Sequence, residues 1–356
     1  MKKIIITGVT GQDGSFMADY LLENTEHAII AGVRRLSVKN HVNIQHLLDH
    51  PRFRLIDLDV ADQANTELVI SEEKPDYFIN FAANSFVGSS WRMPVNHFQN
   101  NTMGVLHQLE AIRKYCPHCK YYNAGSSEEF GDVQYSPQDL DHPSRPRSPY
   151  GASKVAARQI VKVWRESYNI FAVQGYLFNH ESERRGDEFV TRKITKSVAR
   201  IATSISEGNT DFEPLELGNM NAKRDWSHAE DFVRAVWLML NEETPKDYLL
   251  ASGETHTVKE FVEMSFENAG IKGFWSGEGE NEEFKFLGEV PVDMTLVKVN
   301  PDFYRPAEVD LLLGDPSEAQ KDLNWEKSVD FPDLVRRMVA NDLKEINSPQ
   351  KKTSCY

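Results

Sequence analysis

Cysteine is nearly absent from this chain of 356 residues: Cys116, Cys119 and Cys355 are its only three. So few thiols exclude a disulfide framework and make the cytosol the default compartment. Cys116-Pro-His-Cys119 has the C-x-x-C form, but no second ligand pair accompanies it, so neither a metal nor a redox site is expected there. Long apolar runs are missing too. The opening stretch MKKIIITGVTGQDG turns polar too soon for a signal-peptide core, and nothing approaches the length of a bilayer span. Positive charge is in deficit: 40 Lys and Arg against 54 Asp and Glu leave a formal net charge of -14. That field disfavours nucleic acid and anionic membranes as partners, and it admits an anionic small molecule only where local cations outnumber it. The remaining composition is ordinary, with 40% hydrophobic and 26% charged residues, as suits a globular protein with a sizeable core. The length suits one large domain or two smaller ones.

Short apolar runs alternate with helical patterns through the first half. Residues 3–7, 28–33, 53–57, 76–82, 120–124 and 171–178 read as strands, and the stretches near 14–24, 63–73, 95–115 and 150–168 read as helices. Near-continuous apolar strands separated by helices predict an α/β protein, with a Rossmann-like, doubly wound parallel sheet covered on both faces. Beyond about residue 179 the pattern becomes irregular, which predicts a smaller, mixed α/β C-terminal domain. Within it, residues 228–243 are strongly amphipathic and predict a helix returning to the first domain. Residues 272–287, rich in Gly and Glu, predict a surface loop or short hairpin, and the final KKTSCY predicts a loose tail. The expected boundaries are 1–178 with 226–252 for the first domain, 179–225 with 253–345 for the second, and 346–356 for the tail.

Between the first strand and first helix stands Gly8-Val-Thr-Gly11-Gln-Asp-Gly14. Positions without side chains let backbone N–H groups and a helix N-terminus approach a pyrophosphate, so Gly8, Thr10, Gly11, Gln12, Asp13 and Gly14 are the expected dinucleotide-binding turn. NAD sites place an acid at the end of the second strand, to bind the ribose hydroxyls. Here the chain reads Gly32-Val-Arg34-Arg35-Leu-Ser37, and guanidinium groups suit a 2′-phosphate, so NADP is the expected cofactor. Either both arginines serve it, or one is a solvated surface charge.

Tyr150-Gly-Ala-Ser-Lys154 opens a predicted helix, where residues four apart share a face. A neighbouring ammonium and a cationic nicotinamide ring would lower the phenol until it acts as a base. After the glycine turn, this pair resembles the short-chain dehydrogenase/reductase superfamily in its extended form. Five blocks sharpen the resemblance: PRSPYGASK, YLFNHESERRGDEFVTRKIT, LGNMNAKRDWSHAEDF, ASGETHTVKEF and FYRPAEVDLLLGDP. Together they resemble GDP-mannose 4,6-dehydratases, in the family's order, from the glycine turn to about residue 340.

The resemblance implies a hydro-lyase acting on GDP-mannose or a related GDP-sugar such as a GDP-heptose, with tightly held NADP. SSEEFG is similar to the family's T-S-E-x-[YF]-G, which implies Ser126, Glu128, Tyr150 and Lys154 as catalytic residues. Glu129 falls at a variable position and is expected to be solvated surface. Ser126 stands where the family has Thr. Ser127 stands where dehydratases of other nucleotide sugars carry Asp, which favours the GDP-mannose type. Asn123-Ala-Gly125 replaces the more usual Gln-Ala-Ser. Asp59 and Val60 are implied to flank adenine, Ala82, Ala83 and Ser85 to line the dinucleotide, and His180 and Arg185 to lie near it. Asn179, Lys193, Arg224, Arg305 and Glu308 are implied to hold the nucleotide sugar, with Ser85, Ser126 and Glu128 also facing it. Arg224 would bind phosphate, or else brace the second domain through Asp225. A GDP-sugar 4-reductase or epimerase of the same fold is the alternative activity, and a non-catalytic dinucleotide sensor a third. The superfamily habit implies a homo-oligomer: a dimer paired through residues 151–168, or a tetramer joined through the loop at 34–37.

Overall fold

The computed structural model describes residues 1–288, 294–304 and 311–348. Its strands are β1 (Lys3–Thr7), β2 (Ala28–Val33), β3 (Phe53–Asp57), β4 (Tyr77–Asn80), β5 (Lys120–Ala124), β6 (Ala172–Leu177), β7 (Asn179–Glu181), β8 (Leu215–Leu217), β9 (Lys223–Arg224), β10 (Trp226–His228), β11 (Asp247–Leu250), β12 (His256–Thr257), β13 (Gly273–Ser276), β14 (Glu283–Phe286) and β15 (Thr295–Val299). Its α-helices are α1 (Gln12–Asn24), α2 (Gln63–Glu73), α3 (Val87–Ser90), α4 (Pro94–Phe98), α5 (Gly104–Tyr115), α6 (Pro149–Tyr168), α7 (Val190–Ser206), α8 (Ala229–Asn241), α9 (Val258–Asn268), α10 (Ser317–Leu323) and α11 (Phe331–Ile346).

Successive residues of a strand face opposite sides of its sheet, so a run such as KIIIT must be covered twice. Ile4 and Ile6 pack with Phe16 and Leu21 of α1 and with Phe232, Val236 and Leu240 of α8. Ile5 packs on the other side, with Phe78, Tyr121, Leu109 and Ile112, and with Ala157 and Val161 of α6. The result is a seven-stranded sheet in the order β3-β2-β1-β4-β5-β6-β11, parallel throughout. The helix predicted to return does so, and β11 after it pairs with β6. A third core joins Ile194 and Val198 of α7, Phe261 and Phe266 of α9, and Val335 and Met338 of α11. It packs on a four-stranded sheet ordered β13-β14-β15-β8, in which residues 273–286 form the hairpin alternative expected for that stretch.

Strand order reverses beside β1, which opens a crevice at the C-terminal ends of β1 and β4, the place where such sheets bind ligands. A polar ladder crosses four strands beneath it. The Thr7 hydroxyl donates to Asn80 Oδ1 at 2.6 Å, Asn80 Nδ2 to Asn123 Oδ1 at 2.9 Å, and Asn123 Nδ2 to Gln174 Oε1 at 2.8 Å. These buried amides satisfy one another, as buried polar groups must.

Two expectations change in detail. The helix predicted from 95 to 115 is interrupted: α4 passes into a π-helical turn, Gln99–Met103, before α5 continues. Buried Asn101 and Thr102 in that turn hydrogen-bond Ser153 of α6, and these tertiary contacts lie outside what periodicity reports. The first helix starts at Gln12, so Gln12, Asp13 and Gly14 lie inside its first turn. The expected tail falls mostly on residues 349–356, Cys355 among them, which lie outside the described residues. Among the described residues no helix is long and apolar enough to cross a membrane.

Candidate functional site

The glycine turn is shaped by contacts that forbid side chains. Gly8 has φ +70, and a Cβ there would stand 2.7 Å from the Phe81 carbonyl carbon. On Gly14 a Cβ would stand 2.4 Å from the Gly8 carbonyl oxygen. The turn therefore folds tightly onto the ends of β1 and β4 and leaves the start of α1 open toward a groove of about 580 Å³. That groove is lined by the whole turn, by Arg34 and Arg35 beyond β2, by Asp59 and Val60 beyond β3, and by Ala82, Ala83 and Ser85 beyond β4. Arg34 and Arg35 are exposed. Ser37 is exposed too, but it does not line the groove, so the loop does not bring it to the others. Lys39 and His41 do line it; they were missed because no local pattern marks them.

His180 of β7 lies against α1. Its Nε2 is 3.0 Å from Asp13 Oδ2 and its Nδ1 is 2.7 Å from the Phe178 carbonyl oxygen. Burial opposes charge on both partners, yet their mutual attraction wins: Asp13 sits below the usual carboxylate range and His180 above the usual imidazole range. Gln12 donates to the His180 carbonyl at 3.0 Å and accepts from the Ser182 hydroxyl at 2.7 Å, which fastens the turn to β7. Arg185 lines both this groove and the larger cleft beside it, with its Nε 3.0 Å from Glu181 and its guanidinium 3.5 Å from the Phe189 ring centre.

The larger cleft, about 1110 Å³, is lined by Ser85, Ser126, Glu128, Tyr150, Lys154, Asn179, Lys193 and Arg224 together. Ser148 caps α6 by accepting the Gly151 N–H at 3.0 Å, and Pro149 occupies its first turn, so Tyr150 enters the helix facing the end of β5. The Ser126 hydroxyl accepts the Glu128 N–H at 3.2 Å and also meets the Tyr150 phenol. Lys154 Nζ donates to the Ala124 carbonyl at 2.7 Å and lies 5.8 Å from the Tyr150 ring centre. Burial pulls the Lys154 ammonium down to about 8, against the opposing charges of Glu129 and Asp13. The phenol does not follow the expectation of a lowered value: burial pushes it up, Glu128 and Glu129 add to the rise, and only Ser126 and Arg185 oppose it. The ammonium bonds the Ala124 carbonyl instead of the phenol oxygen, so lowering the phenol requires a further positive charge in the cleft.

Glu129 corrects the reading of the SSEEFG stretch. It is not solvated surface but 0% exposed, while Glu128 is half-buried and faces the cleft. The sequence carried a signal in Ser126-x-x-Glu129, the capping-box spacing, and both capping bonds are present. His97 was also missed. Its ring meets Tyr150 edge-on at 6.1 Å and its Nε2 lies 3.1 Å from the Ser89 hydroxyl.

On the cleft's other wall, Lys193 Nζ donates to the Glu216 carbonyl at 2.8 Å and lies 4.0 Å from the Phe303 ring centre. Arg224 Nη1 donates to the Lys223 carbonyl at 2.9 Å. Asp225 accepts from the N–H groups of Ser252 and Gly253 at 2.6 and 3.0 Å, so the bracing role falls to Asp225 through those loops. Asn179 Oδ1 is buried and without a hydrogen-bond partner among the described residues, a group that calls for a donor from a ligand. Arg305 and Glu308 lie outside the described residues. The cleft therefore presents a phenol, a hydroxyl and a half-buried carboxylate at one end and cationic groups at the other, next to a glycine-lined groove: the arrangement of an oxidising acid–base site for a phosphorylated substrate.

Comparison with known proteins agrees with that chemistry. Residues 5–338 match the family described as GDP-mannose 4,6 dehydratase. A Cricetulus griseus protein of that name is 44% identical, covering 96% of this chain and 92% of its own. A Dictyostelium discoideum protein of that name is 43% identical, covering 98% of each. Among solved structures, dTDP-glucose 4,6-dehydratase from Bacillus anthracis in complex with NAD superposes with a TM-score of 0.77 at 21% identity, over 98% of this chain and 97% of that one, which is a likeness of fold. With a family match over nearly its whole length and relatives above 40% identity, the chain belongs to the GDP-mannose 4,6-dehydratase family.

Proposed function

We propose that this protein dehydrates GDP-mannose to GDP-4-keto-6-deoxymannose and water, with NADP retained in the glycine-lined groove. The convergence of Ser126, Glu128, Tyr150 and Lys154 on one cleft carries the reading. A dinucleotide fits the groove because Gly8 and Gly14 leave no side chain between it and the backbone N–H groups at the start of α1. Arg34 and Arg35 favour the 2′-phosphate of NADP, since they stand where an acid would select NAD. When bound, the oxidised nicotinamide supplies a two-electron acceptor for C4, which later serves C6, and a positive ring beside the phenol.

Tyr150 takes the proton of the C4 hydroxyl as that carbon is oxidised, while Ser126 donates a hydrogen bond to the C4 oxygen. Lys154 stands behind the phenol, and its positive charge favours the phenolate that accepts this proton. Oxidation at C4 acidifies the C5 hydrogen. Glu128 removes that proton and gives it to the C6 hydroxyl, which leaves as water. The C5–C6 double bond would then be saturated by the hydrogen and electron pair taken from C4, returned at C6, and by one proton at C5, which balances the proton that Tyr150 took from the C4 hydroxyl and must give up again. Asn179, Lys193 and Arg224 hold the nucleotide sugar, cations toward the pyrophosphate. The regions 179–225 and 253–345 form the sugar side of the molecule, and 1–178 with 226–252 the dinucleotide side.

Incubating the purified protein with GDP-mannose and weighing the product tests this directly. Loss of one water is expected. An unchanged mass would point to an epimerase, and no reaction to a dinucleotide sensor. In Glu128→Gln, C4 oxidation and reduction of the bound cofactor should survive while dehydration falls by about 10²-fold or more; normal turnover by that variant removes Glu128 from the reaction.

A further inference from the structure

One buried acid is left over by this chemistry. Glu129 shares a turn with Glu128 but is buried on the protein side of it. Its Oε1 accepts the Ser126 N–H at 3.0 Å and its Oε2 lies 3.5 Å from Arg158 Nε, with no hydrogen bond to Oε2 among the described residues. Space for the carboxylate exists because residue 125 is glycine. A Cβ there would stand 2.6 Å from Glu129 Oε1 and 2.3 Å from Gln174 Nε2, a donor without an acceptor among the described residues. A Cβ would also stand 2.5 Å from the backbone carbonyl oxygen of Gly175, so no side chain fits between that strand and the Glu129 carboxylate. Glu129 and Gly125 are thus one feature, set at the end of the buried amide ladder.

That feature touches the reactive pair. Lys154 grips the Ala124 carbonyl and Glu129 grips the Ser126 N–H, so ammonium and carboxylate hold the two residues flanking Gly125. The groups facing Glu129 are Tyr150, Lys154 and Arg158 of α6, Tyr176 and Gln174 of β6, and Asp247 of β11. Arg158 is shared with Tyr176 and with the Ser144 hydroxyl, and Asp247 is engaged by Arg165 at 2.7 Å. On the cleft side Lys154 has Asp13 as its other anionic neighbour.

We propose that Glu129 is a positioning residue of this active site: it sets the turn that carries Ser126 and Glu128, and its negative charge keeps the buried Lys154 protonated behind Tyr150. The proposal rests on the roles given to Tyr150 and Lys154 above. Desolvation works against both charges, raising Glu129 to about 7 and lowering Lys154 to about 8, while each favours charge on the other. Removing the carboxylate therefore makes Lys154 lose its proton at lower pH.

The variant Glu129→Gln keeps an acceptor for the Ser126 N–H and removes only the charge. Isotope-labelled lysine NMR, with Lys154 assigned through Lys154→Arg, reads the ammonium without substrate. Its titration is expected to move down by about 1 pH unit in Glu129→Gln. With GDP-mannose, the alkaline limb of the dehydration rate should move the same way, lowering the rate about tenfold on that limb, while KM stays near the parent value. An unchanged Lys154 titration overturns the proposal, whatever the substrate proves to be. A shifted titration with an unshifted reaction limb overturns the positioning role in catalysis. Failure of the parent itself to remove water from GDP-mannose sinks the dehydratase reading, and the titration still decides Glu129's hold on Lys154. Should Glu129→Gln not fold, Glu129→Asp keeps the charge and shortens its reach toward Lys154, with a smaller shift in the same direction expected.

Discussion

At the scale of the residue, chemistry here is set by neighbours that chain position does not name. Glu128 and Glu129 are adjacent and of the same type, yet one faces the cleft and the other is wholly buried. A short turn capped by Ser126 sends consecutive side chains in different directions, and only the packing behind it separates reagent from support. Arg34 and Arg35 pose the same problem from outside. They line the groove as exposed cations, and their value depends on a phosphate reaching them. Replacing both with alanine should weaken NADP binding by about 2–4 kcal/mol and leave NAD nearly unaffected, as titration of the two dinucleotides would report. Equal losses for both would show that these side chains do not read the 2′-phosphate.

At the scale of the element, the helices that matter are fastened at their ends. The first turn of α8 carries Asp231, whose carboxylate accepts the N–H of Ser328 at 2.9 Å and of Val329 at 3.1 Å, and the Ser328 hydroxyl at 2.6 Å. The Trp325 indole N–H donates to the Asp231 carbonyl at 2.9 Å, so the segment before α11 is tied to a helix that also covers the main sheet. Asp231→Ala would leave the Ser328 and Val329 donors without their carboxylate, the indole bond to the main chain remaining, and should cost about 2–4 kcal/mol, read as a lower denaturant midpoint with the slope unchanged. Elements were the most legible part of the chain. All six predicted sheet strands begin and end within two residues of their expected bounds, because period and propensity are local properties. The interrupted helix at 94–115 was not legible: its π turn answers to Ser153, some fifty residues away, and no window of neighbouring residues contains that contact.

At the scale of the whole molecule, the parallel sheet brings the ends of β1, β4, β5 and β6 to one crevice, and the second core closes the far wall with Lys193 and Arg224. The face behind α6 is different. Val163 and Tyr168 of α6 and Tyr115 of α5 are 47%, 47% and 41% exposed. Apolar side chains on neighbouring helices form the kind of patch that pairing covers. A dimer is expected by sedimentation velocity, and Val163→Glu should yield monomers at micromolar concentration. A parent that sediments as a monomer would discard that face as an interface.

By itself the sequence determined the alternation of strand and helix, the tight glycine turn after the first strand, and the tyrosine and lysine one helical turn apart. Each is settled by residues within a few positions of one another, where sterics and side-chain periodicity act directly. Tertiary structure alone decided that Glu129 is interior, that Ser37 stays out of the groove, that Asp225 braces loops, and that Lys154 binds a carbonyl beside the phenol and not the phenol itself. Those outcomes depend on where burial removes water and which distant group then satisfies the charge. Desolvation is a property of the assembled interior, and no local stretch of chain carries it.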